Sequence, residues 1–281
     1  MGPIAHQALR TLAPVAEAAD TVAGVLPGAA RRQRESLNHT DHRPWPLPGG
    51  PWVMGQSWCT LLFAHWPVDP QAVREHVPEQ LDLDLHDGQA WISITPFEVQ
   101  GTRPRGALPP PLVSRFPELN VRTYVTAGGR PGIWFFSLDA ASALAVAAAR
   151  ELYRLPYFRA RMRIDGSAEH GFQYLSVRAD PRGAPAAFRA RYRPAGGHRF
   201  APPGSLEAWL VERYRLYTVD GDRVFAGDIH HRPWTLQDAD ARIGANTMMA
   251  PFGIEGTGEP LVQYAARQDV LFWPLVRVDT R

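Results

Sequence analysis

The chain is predicted to be an α+β protein, a strand-rich curved sheet or barrel with a few packed helices. Three observations predict it. Runs of alternating apolar and polar residues recur from Gln56 to Val278. Two pairs of such runs flank Asp87-Gly88 and Gly128-Gly129, dipeptides that tolerate the positive φ of a tight hairpin turn. Helical spacing is confined to a few segments, so strands outnumber helices and the layers must be built on a sheet.

The elements follow in chain order. Residues 3–34 carry Ile4, Leu9, Leu12, Val15, Val22 and Leu26 at loosely helical spacing, interrupted by Pro14 and Pro27. They read as a weak amphipathic extension that docks on the protein's own surface, a partner or a membrane surface. The chain divides into an N-terminal extension and linker over 1–42 and one domain over 43–281. Residues 81–85 and 90–94 form a first hairpin, residues 121–127 and 132–138 a second. Asp139 is placed to cap a helix over 140–154, which ends before Pro156 because proline disfavours helical geometry in the residue before it. In the next strand Phe158, Ala160, Met162 and Ile164 alternate with Arg159, Arg161 and Arg163, and the chain turns at Asp165-Gly166. The arginine row reads as a solvated face. Ser205 caps a helix over 206–214, and further strands run through 216–219, 223–230 and 270–278.

Composition narrows the function classes. With 45% hydrophobic and 21% charged residues the chain reads as an ordinary soluble globular protein. All 30 basic residues are arginine, but they are scattered among 28 acids for a net charge of +2, which disfavours a nucleic-acid partner. The one cysteine, Cys59, excludes an internal disulfide and suits a reducing cytoplasm. No apolar run approaches the roughly 20 residues of a membrane span, and residues 1–35 lack the apolar core of a signal peptide. The expectation is a cytoplasmic protein with a small-molecule ligand and no integral membrane segment, with homo-oligomerisation left open. A Gly-x-Ser-x-Gly elbow, a phosphate loop and a Gly-x-Gly-x-x-Gly fingerprint are all missing.

Residues 144–158 form an alanine-rich stretch that contains Arg150-Glu151 and closes in Pro156-Tyr157-Phe158. It resembles the signature of acetoacetate decarboxylase, in which such a helix ends in Pro-Lys-Lys and the first lysine forms a Schiff base with the substrate. The chain has no lysine, so the resemblance implies the scaffold without the imine, which requires a primary amine. Residues 69–84 look like the family's short helix, Val-Pro-Glu-x-Leu turn and strand. Phe116-Pro117-Glu118 matches the Tyr-x-Glu that supplies the family's active-site glutamate. The family's arginine falls opposite residues 56–60, where no arginine occurs. Gln56-Ser57-Trp58, Phe63-Ala64-His65-Trp66, Phe135-Phe136-Ser137-Leu138-Asp139 and His231-Arg232-Pro233-Trp234 resemble the YqjF-like branch of that superfamily, a domain of unknown function.

Glu118 leads the catalytic candidates. In an apolar pocket, with Trp58, Trp91, Trp134 and Phe136 as candidate walls, burial raises a carboxyl's pKa and makes it a usable acid or base. Its alternative role is a carboxylate paired with Arg122 or Arg150 to lock the sheet. Arg122, four residues on, returns to the same strand face, where it either binds a substrate carboxylate or neutralises Glu118. Tyr157 either hydrogen-bonds a substrate oxyanion or merely fills the lysine's volume. Gln56, Trp58, His65, Trp134 and Arg150 complete the expected ligand-binding set. His65, His230 and His231 with Glu118 are the candidate metal ligands, but adjacent strand residues face opposite ways and no His-x-His spacing occurs, so neither metal nor cofactor is expected. Two classes stay open: a lyase- or isomerase-type enzyme that performs dehydration, isomerisation or cyclisation without a Schiff base, and a non-catalytic small-molecule-binding protein.

Overall fold

The computed structural model describes residues 28–109 and 114–279, so the expected apolar positions before residue 28 lie outside it. The elements are α1 (Gly28–Ser36), β1 (Met54–Val68), α2 (Pro70–Arg74), β2 (Asp82–Leu83), β3 (Ala90–Pro104), β4 (Arg115–Ala127), β5 (Arg130–Ala140), α3 (Ala143–Tyr153), β6 (Tyr157–Ser167), β7 (Gly171–Arg178) and β8 (Ala187–Arg199). They continue with α4 (Leu206–Val211), β9 (Arg215–Asp220), β10 (Arg223–His230), β11 (Leu236–Asn246), a 3₁₀ turn (Ala250–Phe252), β12 (Leu261–Phe272) and β13 (Val276–Val278).

The strands make one 13-stranded sheet that curls until it meets itself twice. β4 pairs with β5 along most of its length, and β10 touches β12 at Ile229↔Phe272 and His230↔Leu271. The first closure joins β5-β6-β7-β8-β11-β12-β1-β3-β4 into a ring. In the second, β9 and β10 bridge β5 to β12 in place of β6, β7, β8 and β11. The result is a curved, doubly closed sheet rather than one regular barrel.

Both closures share the wall β12-β1-β3-β4-β5, and because side chains alternate along a strand this wall has one face for each interior. Leu62, Ala64, Ile92, Ile94, Leu119 and Val121 join an aromatic core with Phe172, Tyr174, Phe188, Tyr192 and Tyr264. Leu61, Phe63, Phe97, Phe116 and Tyr124 join a second cluster with Leu210, Val211 and Trp234.

The alternation of the wall is reset at several places, two of which set the phase of β1 and β5. Thr60 has φ 53, a left-handed conformation uncommon outside glycine, and the register of β1 against β3 slips between Cys59 and Ala64. In β5 the register against β4 slips so that Val121 faces Ser137 while Arg122 faces Phe135, leaving Phe136 as the extra residue of a bulge.

Several local expectations hold. Asp87 and Gly88 have φ 51 and 78, Gly128 and Gly129 φ 56 and 71, and Ser205 caps α4 by accepting from the Ala208 amide. Others are corrected. Residues 81–85 do not pair with 90–94, and the turn between them is closed by an isolated bridge, His86↔Gln89; β2 pairs with β4, and the Asp84 amide donates to the Tyr124 carbonyl at 3.0 Å. Ser142, not Asp139, caps α3; Asp139 is fully buried against Arg178, which donates to it from Nε at 3.0 Å. The β6 turn comes at residues 168–170 rather than at Asp165-Gly166, α4 stops at Val211, and Pro274 divides the expected last strand into β12 and β13.

Residues 28–42 pack on the sheet. From α1, Gln33 donates to the Gln56 carbonyl at 2.8 Å and accepts from Arg103 at 2.9 Å, and the Ser36 carbonyl bonds His230 Nε2 at 2.9 Å. Gly55 permits this approach: a Cβ there would lie 2.6 Å from Gln33 Oε1.

Candidate active site

The second interior holds a cavity of about 160 Å³. The two register slips shape it. Before Thr60, β1 contributes Met54, Gln56 and Trp58; after it, Leu61 and Phe63. β5 contributes Ile133 and Phe135 before its bulge and Leu138 after it. A regular strand would have turned half of each set toward the aromatic core. β4 runs through without interruption and presents Phe116, Glu118, Asn120 and Arg122 in sequence.

Helix α3 lies against the cavity. Its alanines Ala145, Ala148 and Ala149 line it, with Leu152 and Tyr153 from the last turn. Arg154 ends the helix at φ 54, and two residues later Pro156 delivers Tyr157 to the start of β6, in parallel register with Leu138.

Glu118 is 5% exposed and has no cationic partner among the described residues. Burial pushes its carboxyl up to about 8, against a smaller opposing effect of the Tyr157 hydroxyl, which donates to Oε1 at 3.1 Å. The same burial, reinforced by Glu118, drives the Tyr157 phenol well above its ordinary value, so it stays a proton donor. The Glu118 main chain is held from behind: Tyr174 of the aromatic core donates to its carbonyl at 2.7 Å.

Arg122 is 7% exposed and does not pair with Glu118; its guanidinium lies 5.6 Å from the Phe63 ring centre. Burial lowers its pKa, partly offset by Tyr124, and Nε and Nη2 have no hydrogen-bond partner. The structure therefore removes the ion-paired alternative for Glu118. Arg150 also stays away from it: the guanidinium donates to the Tyr157 carbonyl at 2.8 Å and lies outside the cavity lining.

Of the expected set, Glu118, Tyr157, Arg122, Gln56 and Trp58 line the cavity, and Gln56 Oε1 accepts from the Trp58 indole at 2.9 Å. His65, Trp134 and Arg150 do not. His65 is fully buried between Ser93 and Gln263, and burial holds it down to about 3. Trp134 and Phe136 occupy the opposite phase of β5 and pack with the aromatic core, while Trp91 packs beside the cavity cluster without lining it. Both ring nitrogens of His230 and of His231 are engaged, with Arg43 and Ser36 for the first and with the Arg232 and Arg213 carbonyls for the second. Among the described residues no three His, Cys, Asp or Glu side chains converge as a metal-ligand set. Cys59 is buried, which raises its thiol pKa.

Asn120, Arg213, Thr95, Tyr153 and Trp234 also line the cavity and were not expected. Asn120 was legible, since it lies between Glu118 and Arg122 on an alternating strand. Arg213 arrives from beyond α4, and no local signal marks it.

Residues 55–269 match the DUF2071 family, described as an uncharacterized conserved protein. The chain is 48% identical over 230 residues to the uncharacterized protein YqjF of Bacillus subtilis (strain 168), covering 82% of this chain and 94% of that one. Among solved structures it is similar to the enduracididine biosynthesis enzyme MppR in complex with pyruvate (TM-score 0.56, 13% identity, 85% of this chain and 94% of that one). It is likewise similar to an acetoacetate decarboxylase-like enzyme from Sphingomonas wittichii RW1 (TM-score 0.54, 12% identity, 82% and 94%) and to acetoacetate decarboxylase from Legionella pneumophila (TM-score 0.53, 11% identity, 91% and 97%). The chain belongs to the DUF2071 family and has an acetoacetate decarboxylase-like fold.

Proposed function

We propose that the protein is an enzyme that acts on a small carbonyl or oxygenated compound by proton transfer through Glu118, without a Schiff base. The observation that carries this reading is the state of Glu118: a buried carboxyl in a cavity, free of any cation, pushed up to about 8 and hydrogen-bonded to a phenol. At neutral pH such a group is mostly protonated and can donate; toward pH 8 it can accept. Tyr157 and Arg122 supply hydrogen-bond donors for negative charge that develops on a substrate oxygen as the proton moves. Dehydration, isomerisation and cyclisation all use that combination. The absence of lysine leaves no side-chain amine for an imine. MppR, described with pyruvate and with the condensation product of pyruvate and imidazole 4-carboxaldehyde, supports small-carbonyl chemistry on this fold.

The test is turnover of a panel of hydroxylated and carbonyl compounds, followed by mass spectrometry of the products. Glu118→Gln is expected to lower turnover by about 10²- to 10⁴-fold while ligand affinity and fold persist. Tyr157→Phe is expected to lower it by roughly 10²-fold. Full activity in Glu118→Gln overturns the reading. Ligand retention without turnover in the unaltered protein also overturns it, in favour of the binding-protein class.

A further inference from the structure

We propose that the cavity takes a small monoanionic hydroxy acid, its carboxylate held by Arg122 and Arg213 and its hydroxyl by Asn120. This rests on the Glu118 reading for the reacting end of the site. Its own evidence lies at the other end.

Among the described residues, eight unpartnered buried polar atoms belong to cavity-lining residues; besides Thr102 Oγ1, the Tyr153 hydroxyl and Trp234 Nε1 they are the following five. Arg122 Nε and Nη2, Arg213 Nη2, Asn120 Oδ1 and Thr95 Oγ1 belong to cavity-lining residues and lack hydrogen-bond partners. Arg122, Arg213 and Asn120 are 7%, 5% and 7% exposed. Buried polar groups in folded proteins are paired as a rule, and a cluster that is not calls for a ligand.

Charge bookkeeping sets the sign and size of that ligand's charge. Arg213 carries Asp84 as a partner at 2.5 Å and Arg215 carries Asp228 at 2.8 Å. Among the described residues Arg122 has no carboxylate partner, and burial favours the neutral form of Glu118, so the excess charge in the cavity is positive. Arg122 and Arg213 both line the cavity, and the charge of Arg213 adds to the lowering of Arg122, so an anion held in the cavity relieves both. A dianion would leave a buried negative charge unmatched.

Position sets the second group. Glu118, Asn120 and Arg122 share one face of β4 at steps of about 6.6 Å, so a ligand anchored at Arg122 meets Asn120 next and Glu118 with Tyr157 last. Thr95 is the cross-strand partner of Asn120 and adds a hydroxyl beside it. The unpartnered Asn120 Oδ1 needs a donor. An ammonium would add positive charge to a site that already has an excess, so a hydroxyl fits. A cavity of about 160 Å³ is close to one that holds benzene, which limits the ligand to about six to eight non-hydrogen atoms, a hydroxy acid of four or five carbons.

The test is calorimetric titration of the full chain at neutral pH with 3-hydroxybutyrate, 4-hydroxybutyrate and 3-hydroxypentanoate. Butyrate serves as the analogue without hydroxyl, 1,3-butanediol as the one without charge and succinate as the one with a second charge. The best hydroxy acid is expected to bind about 10- to 100-fold more tightly than the diol and about 3- to 10-fold more tightly than butyrate, with succinate weaker than either acid. Arg122→Met should erase the preference for acid over diol, and Asn120→Leu the preference for hydroxy acid over butyrate. Should either variant fail to fold, the panel on the unaltered protein decides. Equal binding of the diol or of succinate, or no binding of any hydroxy acid at millimolar concentration, overturns the proposal. Failure of this panel with Glu118-dependent turnover of a neutral carbonyl compound sinks the ligand class alone. Hydroxy-acid binding with turnover indifferent to Glu118→Gln sinks the proton-transfer reading alone.

Discussion

The two interiors on either side of the wall β12-β1-β3-β4-β5 are finished differently, although the same strands build both. On one side Phe172, Tyr174, Phe188, Tyr192 and Tyr264 close the space with rings, and the hydroxyls of Tyr174 and Tyr192 end on the carbonyls of Glu118 and Thr60, each at 2.7 Å. On the other side an open cavity is lined by Glu118, Arg122, Asn120 and Arg213, several of whose polar atoms have no protein partner. One face of the wall packs against rings, and the other packs a smaller cluster around the cavity. The hydroxyls of the filled side hold the main chain of the cavity side at Glu118 and at Thr60, the phase-resetting residue.

This division is broken most directly by truncation. Phe188 is completely buried in the filled interior, and Phe188→Ala is expected to cost about 3–5 kcal/mol in denaturant unfolding, because neighbouring rings cannot collapse into the void. Phe135, half-buried on the cavity side, already faces open space, so Phe135→Ala is expected to cost no more than about half as much. Equal losses at the two positions would show that the interiors do not differ in packing.

A second contrast is electrostatic. A carboxyl whose pKa is higher folded than unfolded contributes stability that is complete below the unfolded value and is lost as pH rises toward the folded one. For Glu118 that window runs from near 4.5 up to about 8. Asp139 and Glu212 are raised by burial too, so they share this alkaline limb. Glu118→Gln should therefore flatten the fall in melting temperature between pH 5 and pH 8 without abolishing it, a gain on the order of a few kcal/mol at the upper end. The acid limb should be unchanged. It belongs to His65, His230 and His231, whose depressed values give stability that is present above about 6.5 and lost as pH falls toward 3 to 4, and at lower pH to Asp180, which Arg182 holds well below its ordinary value. An alkaline limb that survives intact in the variant would mean that Glu118 is ionised in the folded protein.

What was legible in the sequence follows the range of the forces involved. Turns at Asp87-Gly88 and Gly128-Gly129, the Ser205 cap and the stop before Pro156 are decided within a few residues, and they hold. Glu118, Arg122 and Tyr157 were found because strand alternation and the resemblance pointed to the same positions. Trp134 and Phe136 were assigned to the wall, but β5 has the other phase and shifts it again at its bulge, which pairing with β4 creates. Asp139 stands where the sequence predicts a cap, yet Arg178, 39 residues away, claims it in the core. Arg213 reaches the cavity only because the β9 and β10 closure brings it there, and no local pattern encodes that closure.

The smallest expected effect is also the one that probes the connection between the interiors. Tyr174 is buried among rings, but its hydroxyl donates to the Glu118 carbonyl at 2.7 Å and more weakly to the Phe97 carbonyl at 3.5 Å, so Tyr174→Phe removes this hydrogen bonding and leaves the packing in place. The stability loss should be about 1 kcal/mol. Tyr192→Phe offers the matched control: it removes a hydroxyl of the same core from the Thr60 carbonyl, also at 2.7 Å, and should cost about as much. The two should part in the pH dependence of turnover. Freeing the Glu118 main chain lets its carboxyl relax toward solvent or away from Tyr157, which moves the ionisation seen in the rate profile; loosening Thr60 leaves the carboxyl where it was. A shift in Tyr174→Phe with none in Tyr192→Phe would establish that the filled interior positions the acid. Identical profiles in both variants would reduce the Tyr174 hydroxyl to a general contributor to stability.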